Sequence, residues 1–308
     1  MKRRGFIKSS IGAGVAAVAA SRLGSFEKAF GNVPAGTNSD YDIVAVKGGE
    51  PAAMFDLGIQ AMGGMGAFVS KGQRVLVKPN IGWDVVPEKG ANTNPELVKR
   101  VIEDCFKAGA KEVFVFDHTC DNWVKCYKSS GIEQAAKDAG AKVVPADSET
   151  YYKQVAIPNG KRLTSALIHE LILNTDVFIN VPVLKNHGGA IVTGALKNMM
   201  GVVWDRGYWH KNDLNQCIAD YALYPKKPAL HILDAYRVMV KNGPRGVSTD
   251  DVVLMQSLLL STDWVAIDTA GARMLNVEPS QVKYLTLAAE MGLGKNDLTK
   301  LNINRIKI

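Results

Sequence analysis

Short apolar runs, each followed by an amphipathic stretch, recur along this chain and restrict it to folds built from strand–helix units. Such runs suit strands buried on both faces, the condition inside a parallel sheet covered by helices on each side. Ile43 to Val46, Val75 to Val77, Val113 to Phe116, Val143 with Val144, and Val177 to Val181 read as strands. Helices are expected over Ala52 to Met62, Pro95 to Lys107 with Asn94 as N-cap, Ile132 to Ala139, and Ser165 to Leu173. The second half adds helices over Gly194 to Met200, Asp213 to Tyr221, Trp264 to Leu275 and Gln281 to Met291, and strands over Leu230 to Leu233, Val253 to Leu260 and Ile303 to Ile308. The expected class is α/β, with a largely parallel or mixed sheet covered by helices on both faces. Gly63-Gly64-Met65-Gly66 follows a helix instead of a strand, so it reads as a helix end and turn and not as a dinucleotide loop.

The N-terminus carries a different signal. Lys2-Arg3-Arg4-Gly5-Phe6 precedes a weakly apolar, Gly/Ala-rich run from Ile11 to Ala20, a pattern similar to a bacterial twin-arginine export signal. The run is far short of the roughly 20 residues that span a bilayer. Residues 1–31 are therefore expected to be a signal peptide, with export to the periplasm and the twin-arginine translocase as a partner during export. Removing them changes the charge. The whole chain has 37 basic and 30 acidic residues, and six basic against one acidic lie in the first 31 positions, so the remainder is close to neutral. No basic run remains, which argues against nucleic acid as a partner, because such surfaces need clustered Lys and Arg.

Residues 40–308 are expected to form a single α/β domain, since no Ser/Gly-rich or charged linker and no fixed-period repeat interrupts them. The cysteines Cys105, Cys120, Cys126 and Cys217 lack the spacing of zinc or iron–sulfur sites. Cys105 reads as a core residue of a helix. Cys120 and Cys126 flank Trp123 in an expected loop, and a disulfide between them stays open.

Ligands of parallel α/β sheets bind beyond the carboxyl ends of the strands. Polar residues cluster at those positions here: Lys78-Pro79-Asn80, Asp117-His118, Lys185-Asn186-His187 and Asp234. Each alone has an ordinary account as a solvated lysine, a capping aspartate or a surface histidine; their recurrence at equivalent positions points to one cleft. The run Thr193-Gly194-Ala195-Leu196-Lys197-Asn198 adds a helix start whose backbone N–H groups, with Lys197 and Asn198, suit a carboxylate or phosphate. An ordinary capped helix with a Met/Leu face in the core is the competing account. No P-loop pattern is present.

Taken in order, Val77-Lys78-Pro79-Asn80, Asn180 to His187, Thr193 to Gly201, Asp234 with Gly243-Pro244, and Ser261-Thr262-Asp263 with Asp268 resemble the domain-of-unknown-function 362 family. The resemblance spans nearly all of the chain after the signal. It implies an α/β fold and a site, and association with exported redox proteins, but no reaction. Many members carry a ferredoxin-like module with iron–sulfur cysteines; this sequence has no such set, so no iron–sulfur cluster is expected in it.

Residue types then leave three readings. In an enzyme, Lys78, Lys185 and Lys197 with Asn80, Asn186 and Asn198 would bind an anionic small molecule, His118 or His187 would move a proton, and Asp117 or Asp234 would orient it. With a divalent metal, His118, His187, His210, Asp117 and Asp234 are the available ligands, although no closely spaced histidine pair exists. Without catalysis, the protein would be a binding or cofactor-assembly factor for an exported redox protein. The aromatic stretch Trp204 to His210 reads equally as a ligand lid, a partner contact or a packed loop.

Overall fold

The computed structural model describes residues 41–308; the arginine pair and the expected signal peptide lie outside the described residues. The first half runs β1 (Ile43–Lys47), α1 (Pro51–Ala61), β2 (Arg74–Pro79), α2 (Pro95–Lys107), β3 (Glu112–Val115), α3 (Trp123–Ser129), α4 (Ile132–Asp138) and β4 (Lys142–Val143). Then come β5 (Tyr152–Ala156), β6 (Ser165–His169), α5 (Glu170–Asn174), β7 (Val177–Val181), β8 (Val183–His187), β9 (Ile191–Thr193), α6 (Ala195–Asn198), α7 (Arg206–Lys211) and α8 (Leu214–Tyr221). The chain closes with β10 (Leu230–Met239), β11 (Val252–Ser261), α9 (Trp264–Met274), α10 (Lys283–Glu290) and β12 (Ile303–Lys307).

Among the described residues, ten strands form one mixed sheet whose main path is β12-β1-β11-β10-β7-β2-β3-β4. From β10 to β4 every neighbour is parallel, so the carboxyl ends of β10, β7, β2 and β3 lie on one edge; β11 runs against both β10 and β1. Pro182 separates β7 from β8, and both run parallel to β10, β7 against its start and β8 further along. A proline donates no ladder hydrogen bond, which fits a change of pairing there. β9 folds back on β8, and β5 and β6 make a separate hairpin.

Period-two alternation divides the buried side chains between two apolar layers. Val75, Val77, Val113, Val115, Ile179 and Ile232 pack with α1, α2 and α4 through Phe55, Leu97, Val101 and Ile132. Leu76, Phe114, Phe178 and Leu233 face the other way, against Leu196, Cys217, Val265 and Tyr284 from the later helices. Lys78, Asn180 and His231 continue the second face along their strands but are polar, and all three are buried. A floor of polar groups under the second layer needs internal partners, since an unpaired buried polar group costs roughly 1–3 kcal/mol.

Several sequence expectations need correction. Ser165 to Leu173 is not one helix: Ser165–His169 pairs with Tyr152–Ala156, and α5 begins only at Glu170, with the His169 ring accepting from the Leu171 N–H. Val183–His187 is a strand, and the region of Trp123 is helix α3. The cysteines are all free; Cys126 is buried in α3 while Cys120 is exposed. No described helix is long and apolar enough to cross a membrane.

Candidate functional site

At the shared strand edge a cavity of about 430 Å³ opens among β2, β8, α6 and α7. Its polar lining includes Lys78, Asn80, Asp117, His118, Lys185, His187, Lys197 and Asn198, eight of the residues singled out from sequence. Trp83, Met200 and Pro244 supply apolar wall.

The floor is a polar network. Lys78 Nζ lies 2.9 Å from Asp117 Oδ1 and donates to the Asn198 carbonyl (2.7 Å) and Oδ1 (2.8 Å). Asn198 donates in turn to Asn180 Oδ1 (2.8 Å), whose amide nitrogen bonds the Ala195 carbonyl and the His231 ring (both 3.1 Å). Asp117 Oδ2 accepts from the Ile81 N–H at 2.6 Å, which ties the end of β3 to the loop after β2. Burial draws the Lys78 ammonium below its ordinary value, and the Asp117 charge opposes that. Gly201 is dictated by this pair: a Cβ there would lie 1.8 Å from Asp117 Oδ1 and 2.6 Å from Lys78 Nζ.

Two further lysines stand on different terms. Lys185, on β8, is buried; its Nζ donates to the Ala91 carbonyl and to Asn80 Oδ1 (3.3 Å). Lys197, on α6, is half-buried, and its Nζ has a weak acceptor, Met200 Sδ, at 3.6 Å. Among the described residues neither lysine forms an ion pair with a carboxylate. Burial lowers Lys185 to about 7, helped by the Lys197 charge, and lowers Lys197 to about 8, helped by Arg206 and Lys78. Arg206, from α7, donates to the carbonyls of His118 (2.9 Å) and Thr119 (2.5 Å) and to Cys120 Sγ (3.3 Å), so its cation is fixed at the cavity wall.

The histidines are neutral. His118 Nδ1 bonds the Val203 carbonyl at 2.8 Å; a carbonyl only accepts, so Nδ1 carries the proton and Nε2 keeps a lone pair. Its ring stacks on Trp204, with centroids 5.1 Å apart, and burial and Arg206 lower its basicity. His187 is the reverse: Nδ1 accepts from the N–H groups of Gly189 and Ala190 (3.0 and 3.1 Å), leaving the proton on Nε2. Burial and the Lys197 and Lys185 charges bring it to about 3. His118 is thus placed as an acceptor of protons and His187 as a donor of hydrogen bonds.

Other sequence expectations meet a different geometry. Asp234 does not line the cavity: its oxygens accept from the backbone N–H groups of Asn94 (2.7 Å) and Tyr236 (2.9 Å), so it anchors the start of α2. Asn186 also lies outside, with Oδ1 accepting from Gly243 N–H at 3.2 Å. The start of α6 is already taken. The Asp268 carboxylate accepts from Ala195 N–H (2.5 Å) and Leu196 N–H (3.0 Å), and a Cβ on Gly194 would come within 2.2 Å of it. The Ala195 and Leu196 N–H groups expected to meet a guest are therefore occupied, and Asn198 is buried in the cavity floor. Among the described residues no three His, Cys, Asp or Glu side chains gather as a ready-made metal site. Sequence reasoning missed Asn180, Arg206, Cys120 and Gly201 as site residues. Arg206 had a signal in its place in the aromatic stretch, and Asn180 and Gly201 in the family-like runs Asn180 to His187 and Thr193 to Gly201.

Fold and site together define an α/β protein with a cation-rich cavity at the strand carboxyl ends. The chain belongs to the DUF362 family, a domain of unknown function, which matches residues 75–273 and so contains every cavity residue named here. It is 27% identical over 246 residues to the thylakoid-associated protein sll1697 of Synechocystis sp., covering 77% of this chain and 73% of that protein. Solved structures similar to it include the lactate racemase apoprotein from Thermoanaerobacterium thermosaccharolyticum (TM-score 0.47, 11% identity, 78% of this chain) and a protein from Thermotoga maritima (TM-score 0.46, 11% identity, 79% of this chain). The chain spans 58% and 60% of those two proteins.

Proposed function

We propose that the cavity binds a small carboxylate or phosphate compound and that His118 moves a proton on it. The observation that carries this reading is the pair Lys185 and Lys197, two buried or half-buried amines in one cavity without a carboxylate partner among the described residues. Lys78 and Asp117 cancel, so Lys185, Lys197 and Arg206 make the cavity positive while the chain beyond its first 31 residues is close to neutral. An anion entering it would restore the charge balance and favour the protonated lysines. His118, with its Nε2 lone pair, supplies the base, and the neutral His187 supplies a donor.

Binding of phosphate or acetate should weaken as salt is added. Lys185→Met or Lys197→Met, each keeping much of the stem's packing, should lower affinity by about 1.5–3 kcal/mol, the scale of a charge-assisted hydrogen bond. Calorimetric titration decides: wild-type affinity in both variants removes the proposal.

Export by the twin-arginine route belongs to the same proposal, since the signal resemblance rests on the sequence of residues 1–31. Changing Arg3 and Arg4 to lysine should hold the precursor in the cytoplasm, because the receptor reads guanidinium groups and not charge alone. Cell fractionation that finds the double variant exported would point to an ordinary secretory signal.

A further inference from the structure

We propose that Lys197 is a carbonyl-condensing nucleophile and that the cavity's guest is a small 2-oxo carboxylate, clamped through its carboxylate by Lys185 while its keto carbon meets the Lys197 amine. This rests on the anion-binding reading above and narrows it.

The three cavity lysines divide by what holds them. Lys78 is locked between Asp117 and two Asn198 oxygens, and Lys185 donates to the oxygens of Ala91 and Asn80. Oxygen acceptors of that kind favour an ammonium and fix its direction. Lys197 differs: its amine has a thioether at 3.6 Å, a poor acceptor, and among the described residues no carboxylate to keep it protonated. An amine attacks a carbonyl only in its neutral form, and neighbouring cations with restricted water are the usual means of supplying that form. Arg206, Lys78 and Lys185 surround the cavity, and Trp83, Met200 and Pro244 narrow its wetted wall. Lys197 is lowered to about 8 and Lys185, before a guest binds, to about 7; a carboxylate seated against Lys185, with the Ala91 and Asn80 oxygens, is what returns that amine to the ammonium form.

A plain carboxylate or phosphate would call for two ammonium groups. An ammonium beside a free amine matches instead a molecule with an anionic carboxylate next to an electrophilic carbon, which is a 2-oxo acid. In the step itself the nitrogen lone pair of Lys197 bonds the keto carbon as the carbon–oxygen π bond breaks, and the oxygen takes the first of the two N–H protons, leaving a neutral carbinolamine with one. His118 Nε2 accepts the N–H proton and returns it to the departing hydroxyl. One amine and one ketone give one imine and one water, with no oxidant or reductant.

The test is reductive trapping: the full chain with pyruvate and sodium borohydride, read by intact mass and peptide mapping. One reduced pyruvate per chain on Lys197, lost in Lys197→Arg, sharply reduced in Lys185→Met and suppressed by phosphate, is the expected result. If Lys197→Arg does not fold, the mapped wild-type peptide decides alone. Label on Lys185, or scattered over surface lysines, overturns the assignment. So does an absence of label in protein that still binds phosphate in a salt-dependent manner. Absence of both label and phosphate binding instead removes the anion-binding reading itself.

Discussion

Asp117 follows β3, whereas Asp234, expected after a strand, lies within β10; the two are equally deep, yet they do different work. At the end of β3, Asp117 faces a lysine side chain and one backbone N–H; within β10, Asp234 gives its oxygens to the backbone N–H groups of Asn94 and Tyr236. Burial pushes Asp234 up to about 6 against the pull of those two bonds. The contrast teaches that the nature of its partner decides whether a buried carboxylate takes part in the cavity's charge balance. A side chain partner lining the cavity makes Asp117 part of the charge balance there. Backbone partners make Asp234 a device for holding α2.

The sharpest way to break this comparison is to neutralise both. Asp117→Asn leaves the Lys78 charge buried without its counter-ion and should cost about 3–5 kcal/mol in urea unfolding, the scale for breaking a buried ion pair. Asp234→Asn removes an acceptor from backbone donors and should cost about 1–3 kcal/mol, with phosphate affinity unchanged. Equal losses, or a loss of phosphate affinity in Asp234→Asn alone, would erase the distinction.

A smaller effect sharpens it through pH. Lys185 stands near 7 in the fold and near 10.4 when unfolded, so between those values the unfolded chain binds the extra proton. Its cost to the fold is complete below about pH 7 and fades as pH rises towards 10.4. The stability of Lys185→Met relative to wild type should therefore be most favourable at pH 7 and decline above it. The buried thiols Cys105 and Cys126, both pushed up, titrate alike in the two proteins and cancel from the difference. A difference independent of pH would mean that Lys185 keeps an ordinary amine.

How far the sequence reveals this molecule follows from the range of each interaction. Asn94 was legible as the cap of α2 because its side chain accepts from Glu96 and Leu97, two and three residues on. Val177–Val181 was legible because all five residues are buried. The hairpin partner Tyr152–Ala156 was not, since most of its side chains are exposed or half-exposed and leave no apolar run, and without it Ser165–His169 passed for a helix. In the site, strand-end position pointed to Lys78, Asp117, His118 and Lys185. The capture of α6 by Asp268 depends on residues more than 70 positions apart, and the tie between Arg206 and the His118 carbonyl spans 88, which no local pattern encodes.

Lys185 and Lys197 form no ion pair with a carboxylate among the described residues; if a guest anion supplies that charge, its binding must take up protons. At pH 8 Lys185 is mostly neutral and Lys197 about half so. An anion between them raises both values, so binding must take up protons, and affinity must fall as pH rises above 7. Phosphate titrated into the protein by calorimetry at pH 8, in buffers of different ionisation heat, should show net uptake that shrinks in Lys185→Met. Binding without proton uptake, in wild type and variant alike, would contradict the account.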